Sequence, residues 1–257
     1  QALDESRRSG RLIFLYAHAA NCEPCEEMEA EVFQDSLVGT YFNDQFINVH
    51  YDMGAFPGVE LAENYQIYGY PTMLFIDSQG LIQHRVCGAL QGDELLYAAR
   101  QAADPIENIA GLQRQFYAKP EALDILKTYG AALEAACLSK RKFIEYFFQQ
   151  TEKDDWLNES AWYMLNHHVQ NVHSPYFDFL LKNLDSYRER YGQEEVDQRV
   201  NSIFLNHYLD IYHGADVTLL ASYGLLDRLK GVDFDGANEL QNMLNLTIAL
   251  ASEDWDT

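Results

Sequence analysis

The chain has 257 residues, of which 47% are hydrophobic and 23% charged, so it is long and apolar enough to fold around one or two packed cores. Its formal net charge of −22 repels phosphate backbones, so nucleic acid is not expected as a partner. The longest nearly apolar run, Leu12 to Ala20, is too short to cross a bilayer, so no membrane span is predicted.

The N-terminal part of the chain alternates short apolar runs with amphipathic segments, which is typical of α/β proteins. The four apolar runs that we predict to be strands are Leu12–Tyr16, Phe46–Tyr51, Thr72–Ile76 and Ile82–Cys87. A turn at Asp77–Gly80 joins the last two strands as a hairpin. Helices are predicted around Cys25 to Val32, after Asp35, at Leu61 to Tyr65 and at Asp93 to Ala103.

From Pro105 onward the strand pattern ends and the sequence predicts only helices. Asp104-Pro105-Ile106-Glu107 has the features of a helix start, with Asp as the N-cap and Pro at the first helical position. We therefore predict two domains, residues 1–104 and an all-helical domain at 105–257. Helical hairpins, as in a tetratricopeptide-like stack, are one arrangement for it, although no repeated residue signature is present. Breaks between its helices are predicted near Gly130, Ser139, Gly192, Gly214 and Gly231.

Cys22-Glu23-Pro24-Cys25 follows the first predicted strand and begins a predicted helix. The free N–H groups and the dipole of a helix N-terminus stabilise a thiolate. The spacing also lets the second sulfur attack a mixed disulfide formed by the first. Cys22 is therefore predicted to be the nucleophile and Cys25 the resolving thiol. A zinc half-site and an inert structural disulfide are the alternative interpretations.

Gly69-Tyr70-Pro71-Thr72 begins the third predicted strand. Proline cannot donate a hydrogen bond to a central ladder, so its position here needs a reason. A cis Tyr70–Pro71 bond facing the cysteine pair would leave the backbone of Tyr70 free to pair with an extended peptide. An ordinary trans proline at the end of a loop is the alternative.

The order of these elements, from the first strand and Cys-x-Pro-Cys through Tyr-Pro-Thr to the hairpin and a final helix, resembles the thioredoxin fold. The segments that resemble thioredoxin-like proteins exported to the periplasm by Bacteroidetes are Glu31-Val32-Phe33-x-Asp35, Phe46-Ile47-Asn48-Val49, Tyr70-Pro71-Thr72 and His84-Arg85-Val86-x-Gly88. Some of those proteins also carry a helical C-terminal extension.

The resemblance implies thiol–disulfide exchange, with Cys22 attacking, Cys25 resolving and Pro71 as a cis-proline. It also implies that Tyr70, Pro71 and Thr72 contact the substrate, that no cofactor is needed, and that protein thiols and disulfides are the partners, held in part by the helical domain. A periplasmic or otherwise exported location is expected from the resemblance and from the start at Gln1 rather than Met.

Two positions depart from the thioredoxin pattern. Asn21 precedes Cys22 where relatives have an aromatic residue, and Tyr16 stands where thioredoxins place a buried Asp that assists the resolving thiol. Six acidic residues and no basic one lie between Cys22 and Ser36, and negative charge disfavours a thiolate. We therefore expect a reductase or isomerase rather than a strong oxidant. A non-catalytic interaction or chaperone-like module is the alternative.

Cys87 in a predicted strand and Cys137 in a predicted helix have apolar neighbours, so both are predicted to be free core thiols. The helical region is also rich in aromatic residues, which either pack inside it or form a partner-binding surface. These residues are Phe143, Tyr146, Phe147, Phe148, Trp156, Trp162, Tyr176, Phe177 and Phe179.

Overall fold

The computed structural model describes residues 1–213 and 224–252, and the chain forms two compact units, residues 1–143 and 144–257. The elements that begin in the first unit are α1 (Ala2–Ser9), β1 (Leu12–His18), α2 (Glu23–Glu27), α3 (Ser36–Gln45), β2 (Phe46–Asp52), α4 (Gly58–Tyr65), β3 (Thr72–Ile76), β4 (Ile82–Cys87), α5 (Gly92–Ala103), α6 (Ile109–Ala118), α7 (Leu123–Ala135) and α8 (Arg141–Gln150). The later elements are a 3₁₀ turn (Lys153–Leu157), α9 (Glu159–His167), α10 (Pro175–Lys182), α11 (Leu184–Tyr191), α12 (Gln193–His213), α13 (Leu225–Leu229) and α14 (Ala237–Ser252).

The four strands form one sheet in the order β2-β1-β3-β4. Strand β1 pairs in parallel with β2 and antiparallel with β3, and β3 and β4 form the predicted hairpin. Strands β3 and β4 have the predicted bounds, while β1 and β2 extend further, to His18 and Asp52. The predicted fold class, an α/β thioredoxin-type sheet followed by helices, is confirmed.

The side chains of β1 alternate between two cores. Phe14 and Tyr16 pack with Met73 and Phe75 of β3 and with helices α3 and α5 on one face. On the other face, the side chains that pack together from β1, β3 and α4 are Ile13, Leu15, Ala17, Leu74, Ile76, Leu61 and Ala62. Burying each large apolar side chain stabilises the fold by roughly 1.5–3 kcal/mol. The continuous apolar run Leu12–Tyr16 is therefore explained by burial on both faces.

The first helix after the sheet begins later than predicted. Asp104 accepts hydrogen bonds from the N–H groups of Ile106 and Glu107, at 2.7 and 3.3 Å, but this caps only a single turn. Asn108 is the N-cap of α6, and its Oδ1 accepts a hydrogen bond from the N–H of Gly111 at 2.8 Å. The predicted start at Pro105 is therefore wrong by four residues, because a second capping side chain follows the first.

Helices α6 and α7 belong to the same compact unit as the sheet. The N–H of Ile109, the first residue of α6, donates a hydrogen bond to Nδ1 of His84 in β4, at 3.3 Å. The strands do end before Pro105, as the sequence pattern indicates, and the compact unit continues to Phe143. The strands thus end where the sequence pattern indicates, and the predicted domain boundary between residues 104 and 105 stays a prediction.

Cys87 and Cys137 form a disulfide, with their Cα atoms 6.0 Å apart. Cys87 is half-buried at the end of β4, and Cys137 is exposed two residues after α7. The prediction that both are free core thiols is wrong, because the end of α7 packs next to the end of β4. The bond closes a loop with a sequence separation of 50 residues, and the chain-entropy model gives such a bond about 4 kcal/mol of stability.

Every secondary-structure element described in the second unit is a helix. Its aromatic side chains pack inside it: Phe147, Phe148, Trp156, Trp162 and Phe177 are buried, and Tyr146, Tyr176 and Phe179 are half-buried. Of the two interpretations of this aromatic cluster, the structure favours internal packing. The tetratricopeptide-like stack stays a prediction. None of the helices in the described ranges is both long and apolar enough to span a membrane.

Of the predicted helix breaks, the one near Gly130 is wrong. Helix α7 passes through Gly130, which is buried and has no side chain to obstruct its neighbours. Breaks at Ser139, Gly192 and Gly231 are confirmed. Gly214 lies outside the described residues.

His84 makes the stability of the first unit depend on pH. Burial lowers the pKa of His84 to about 4, because the charged imidazole loses its hydration in the core. In the unfolded chain His84 binds a proton near pH 6.5, whereas in the folded chain it does so only near pH 4. The neutral His84 therefore costs no unfolding free energy above pH 6.5, and the unfolding free energy falls as the pH drops from 6.5 towards 4. We expect the protein to lose roughly 3 kcal/mol more unfolding free energy than His84→Asn between pH 7 and pH 4. Asn keeps an acceptor for the N–H of Ile109, and equal losses in urea titrations of the two proteins would contradict the prediction.

Candidate functional site

Cys22 and Cys25 form a disulfide where the chain leaves the carboxyl end of β1 and enters α2. Cys22 is the N-cap of α2, and its carbonyl accepts hydrogen bonds from the N–H groups of Cys25 and Glu26, at 2.9 and 3.0 Å. Cys22 is half-buried, whereas Cys25 is only 2% exposed. A sulfur from outside can therefore reach Cys22 more easily than Cys25, as the predicted roles require.

Asn21 adopts a left-handed backbone conformation, with φ of 60°. Asn tolerates this conformation better than most residues with a side chain, because its short polar side chain can bond locally. The departure from an aromatic residue before Cys22 therefore has a local backbone explanation.

The helix that begins at Cys22 changes its hydrogen-bond pattern directly after the motif. Residues Met28–Val32 form a π-helical turn, in which the N–H of Phe33 donates to the carbonyl of Met28 at 2.9 Å. Such turns inside helices are frequent at functional sites. The sequence pattern predicted one continuous helix here and gave no signal of the change.

Tyr16 holds the backbone of Cys25. Its hydroxyl donates a hydrogen bond to the carbonyl of Cys25 at 3.1 Å, and its ring packs edge-on against Phe33, with centroids 4.7 Å apart. Burial raises the pKa of Tyr16 far above its ordinary value, and the negative charge of Glu29 raises it further. Tyr16 is therefore a neutral donor at physiological pH. It positions Cys25 and does not accept its proton.

His18 and Glu29 supply acid–base groups on the side of Tyr16 that faces a surface cleft. Nδ1 of His18 lies 3.9 Å from Oε1 of Glu29, and the His18 ring is stacked with that of Tyr16, with centroids 5.7 Å apart. Tyr16 and Glu29 both line the cleft, which has a volume of about 320 Å³. The sequence pattern did not single out His18, which lies two residues after Tyr16 on the same face of β1.

The Tyr70–Pro71 peptide bond is cis. The carbonyl of Pro71 accepts a hydrogen bond from the N–H of Gly88 at 2.9 Å, and the hydroxyl of Thr72 donates to the carbonyl of Gly69 at 2.8 Å. Pro71 and Thr72 are buried and Tyr70 is half-buried. Because Thr72 is fully buried and its hydroxyl is bonded internally, the side chain of Thr72 is not available to a substrate.

The cysteine pair and the Pro71 segment lie at the same edge of the sheet. Thr72, which begins β3, pairs with Ala17 near the carboxyl end of β1, and Cys22 and Tyr70 both pack against the core that contains Tyr16.

Phe56 and Tyr68 lie in the loops that follow β2 and precede β3, and they are 84% and 85% exposed. The Phe56–Pro57 bond is also cis. The sequence pattern did not identify Phe56 and Tyr68 as candidate site residues. Their position in loops was the one signal that could have suggested it.

The surroundings of Cys22 are acidic. Glu23, Glu26 and Glu27 of α2 are exposed, and so are Glu29 and Glu31 in the π-helical turn. Carboxylates that follow a cysteine along its helix oppose the stabilisation of a thiolate by the helix N-terminus. Within residues 1–213 and 224–252, no group of three or more His, Cys, Asp and Glu residues could hold a metal ion.

The fold and the site together define a thioredoxin-fold domain whose Cys-x-Pro-Cys pair is joined as a disulfide beside a cis-proline. Residues 1–78 match the family model described as Thioredoxin-like. Through this region, the chain belongs to the thioredoxin-like proteins. No curated protein matches the chain.

Several solved structures are similar to about two fifths of the chain. A proposed disulphide-isomerase from Bacteroides thetaiotaomicron is 38% identical, with 40% of this chain and 85% of that chain covered and a TM-score of 0.37. A thioredoxin from Thermus thermophilus is 26% identical, with 43% and 86% covered and a TM-score of 0.38. The C-terminal domain of Neisseria meningitidis DsbD is 19% identical, with 39% and 90% covered and a TM-score of 0.35.

The unequal burial of the two cysteines predicts unequal reactivity. After full reduction under native conditions, we expect iodoacetamide to label Cys22 at least about tenfold faster than Cys25, because access and thiolate character both control the rate. Peptide mass spectrometry at increasing reaction times measures both rates. Equal rates in the folded protein, or faster labelling of Cys25, would contradict the assigned roles.

Proposed function

We propose that the protein is a thiol–disulfide oxidoreductase of the reductase or isomerase type that acts on protein disulfides. The observation that carries the proposal is the Cys22–Cys25 disulfide at the start of α2, with Cys22 half-buried and Cys25 almost completely buried. This asymmetry suits a pair in which one sulfur meets the substrate and the other reacts only within the protein.

The exchange takes place in two steps. The thiolate of Cys22 attacks one sulfur of the substrate disulfide, which forms a mixed disulfide and releases the first substrate thiolate. The thiolate of Cys25 then attacks the sulfur of Cys22, which forms the Cys22–Cys25 disulfide and releases the second substrate thiolate. Two electrons pass from the pair to the substrate, so an external dithiol reductant must reduce the pair again.

The acidic surroundings favour reduction or isomerisation over strong oxidation. A strong oxidant needs a highly stabilised thiolate, which makes its reduced form the stable one. The exposed carboxylates of Glu23, Glu26 and Glu27 act against such stabilisation. We therefore propose that the Cys22 thiolate is less stabilised than the corresponding thiolate of a strong oxidant.

We place the substrate along the edge that carries Pro71. An extended cysteine-containing segment there can pair with the backbone of Tyr70. The exposed rings of Phe56 and Tyr68, in the loops after β2 and before β3, are the apolar contacts that we propose for this segment, since aromatic residues are enriched at protein interfaces.

Two further parts of the proposal concern location and the helical region. The Cys87–Cys137 disulfide supports an exported location, since structural disulfides persist in oxidising compartments. Helix α14 exposes Met243, Leu246 and Leu250 along one face, which supports a role of the helical region in holding a protein substrate.

A non-catalytic interaction module is the second candidate function. The observation that favours it is Tyr16, which supplies a neutral donor to Cys25 where thioredoxins have an acid that takes part in proton transfer. In this case the Cys22–Cys25 disulfide would stay closed during binding.

Reduction of insulin by dithiothreitol separates the two functions. We expect the protein to accelerate the reduction, Cys22→Ser to abolish the acceleration, and Cys25→Ala to accumulate mixed disulfides through Cys22, because the second step is lost. Cys87→Ser/Cys137→Ser is the matched control, which removes the other disulfide and should retain the activity. A folded, reduced protein that is no faster than Cys22→Ser would disprove the oxidoreductase function.

A further inference from the structure

A second cavity, with a volume of about 500 Å³, lies within the first compact unit, and no residue of the Cys22–Cys25 site or the Pro71 segment lines it. Its walls are the end of α4, strand β4, helices α6 and α7, and the start of α8. A volume of this size is typical of sites for small molecules. The thiol–disulfide exchange proposed above leaves this cavity without a role.

The cavity is positively charged in a strongly acidic protein. Arg85, Arg141 and Lys142 line it, and no Asp or Glu in the described part of the chain does. The whole chain has 40 acidic residues against 18 basic ones. A lining that holds three basic side chains and no acidic one therefore runs against the composition, and it favours an anionic ligand over a cationic one.

Arg85 is the central cation of the cavity. It is only 4% exposed, and its two terminal nitrogens donate hydrogen bonds of 3.1 Å to the carbonyls of Tyr65 and Gln66 at the end of α4. Its Nε has no hydrogen-bond partner, and no carboxylate of the described residues forms an ion pair with it. Buried charges are normally paired, because removing them from water is costly. The two carbonyls offset part of that cost, and an anion in the cavity would offset the rest.

Most of the remaining lining is apolar or aromatic, and its polar members are Gln66, Gln113 and Ser139. Phe116 and Tyr129 are buried in it, with ring centroids 5.5 Å apart, and Ile109 and Leu133 belong to the same walls. The ligand that fits such a lining has an apolar body as well as a charged group, since sites of this kind combine apolar walls with a few polar contacts.

The Cys87–Cys137 disulfide joins two walls of the cavity. Cys87 lies two residues beyond Arg85 in β4, and Cys137 directly precedes Leu138 and Ser139, which line the opposite wall. A covalent bond between the walls keeps the cavity formed in the absence of a ligand, which lowers the entropic cost of binding.

We propose that this cavity binds a small organic anion, with a carboxylate or phosphate group paired to Arg85 and an aromatic or aliphatic body packed against Phe116 and Tyr129. Arg141 and Lys142 lie at its exposed side and attract the anion. Carboxylate and phosphate ligands of this kind share an anionic group on an apolar body. Titration with one probe of each kind distinguishes them.

Isothermal titration calorimetry with the oxidised full-length chain tests the proposal. The probes are benzoate, phenyl phosphate and benzyl alcohol, which share a ring and differ in charge. We expect one or both anions to bind with a dissociation constant of about 1 mM or tighter, and benzyl alcohol to bind at least about tenfold more weakly. No binding of either anion at about 10 mM, or equal binding of benzyl alcohol, would overturn the proposal.

Variants locate the site. Arg85→Gln should weaken anion binding at least about tenfold, because it removes the buried charge and the Nε donor. Arg100→Gln is the matched control on the exposed side of α5, away from the lining, and should bind as the original chain does. Equal weakening by both variants would show general charge attraction and refute the site.

A second variant keeps the test decisive if Arg85→Gln fails to fold. Ala110, a half-buried residue of α6, lines the cavity, so Ala110→Phe fills it and leaves every cation in place. We expect this variant to lose anion binding. A folded Ala110→Phe protein that binds the anion as strongly as the original chain would overturn the proposal.

Discussion

Burial of strand β1 on both faces determines where the Cys22–Cys25 disulfide lies. Because Phe14 and Tyr16 face one core and Ile13 and Leu15 the other, the strand has one register in the sheet, and a slip by one residue would exchange the two faces. The carboxyl end of β1 then places the Cys22 loop opposite the start of β3, where the Pro71 segment lies. The site is therefore a consequence of the packing of the central strand rather than of the loops.

Tyr16 connects that packing to the chemistry of the cysteine pair. Its ring belongs to the core, and its hydroxyl holds the carbonyl of Cys25 at the point where the helix changes to a π-helical turn. The carbonyl also accepts the N–H of Met28, so two donors fix the backbone of the buried cysteine. The protein thus keeps Cys25 in position without a carboxylate on β1. His18 and Glu29 lie close together beside Tyr16, and His50 packs near His18.

The sequence allowed the strands and the position of the Cys22–Cys25 pair at a helix start to be predicted because their signals are local. A continuous apolar run such as Thr72–Ile76 identifies a buried strand, and Cys-x-Pro-Cys carries its helix start within itself. The Cys87–Cys137 bond could not be predicted, because its partners are 50 residues apart and meet only through the packing of α7 beside β4. The environment of Arg85 escaped prediction for the same reason, since its cavity is assembled from five separate elements.

The reduction potential of the Cys22–Cys25 pair tests most directly whether its acidic surroundings make it a reductant or isomerase. Equilibration with glutathione buffers, followed by acid quenching and mass spectrometry of the peptides, measures it without interference from Cys87–Cys137. We predict a value between about −180 and −270 mV, the range of isomerases and thioredoxins. A value near about −120 mV, typical of strong oxidants, or a pair that never exchanges with glutathione, would contradict the proposed function.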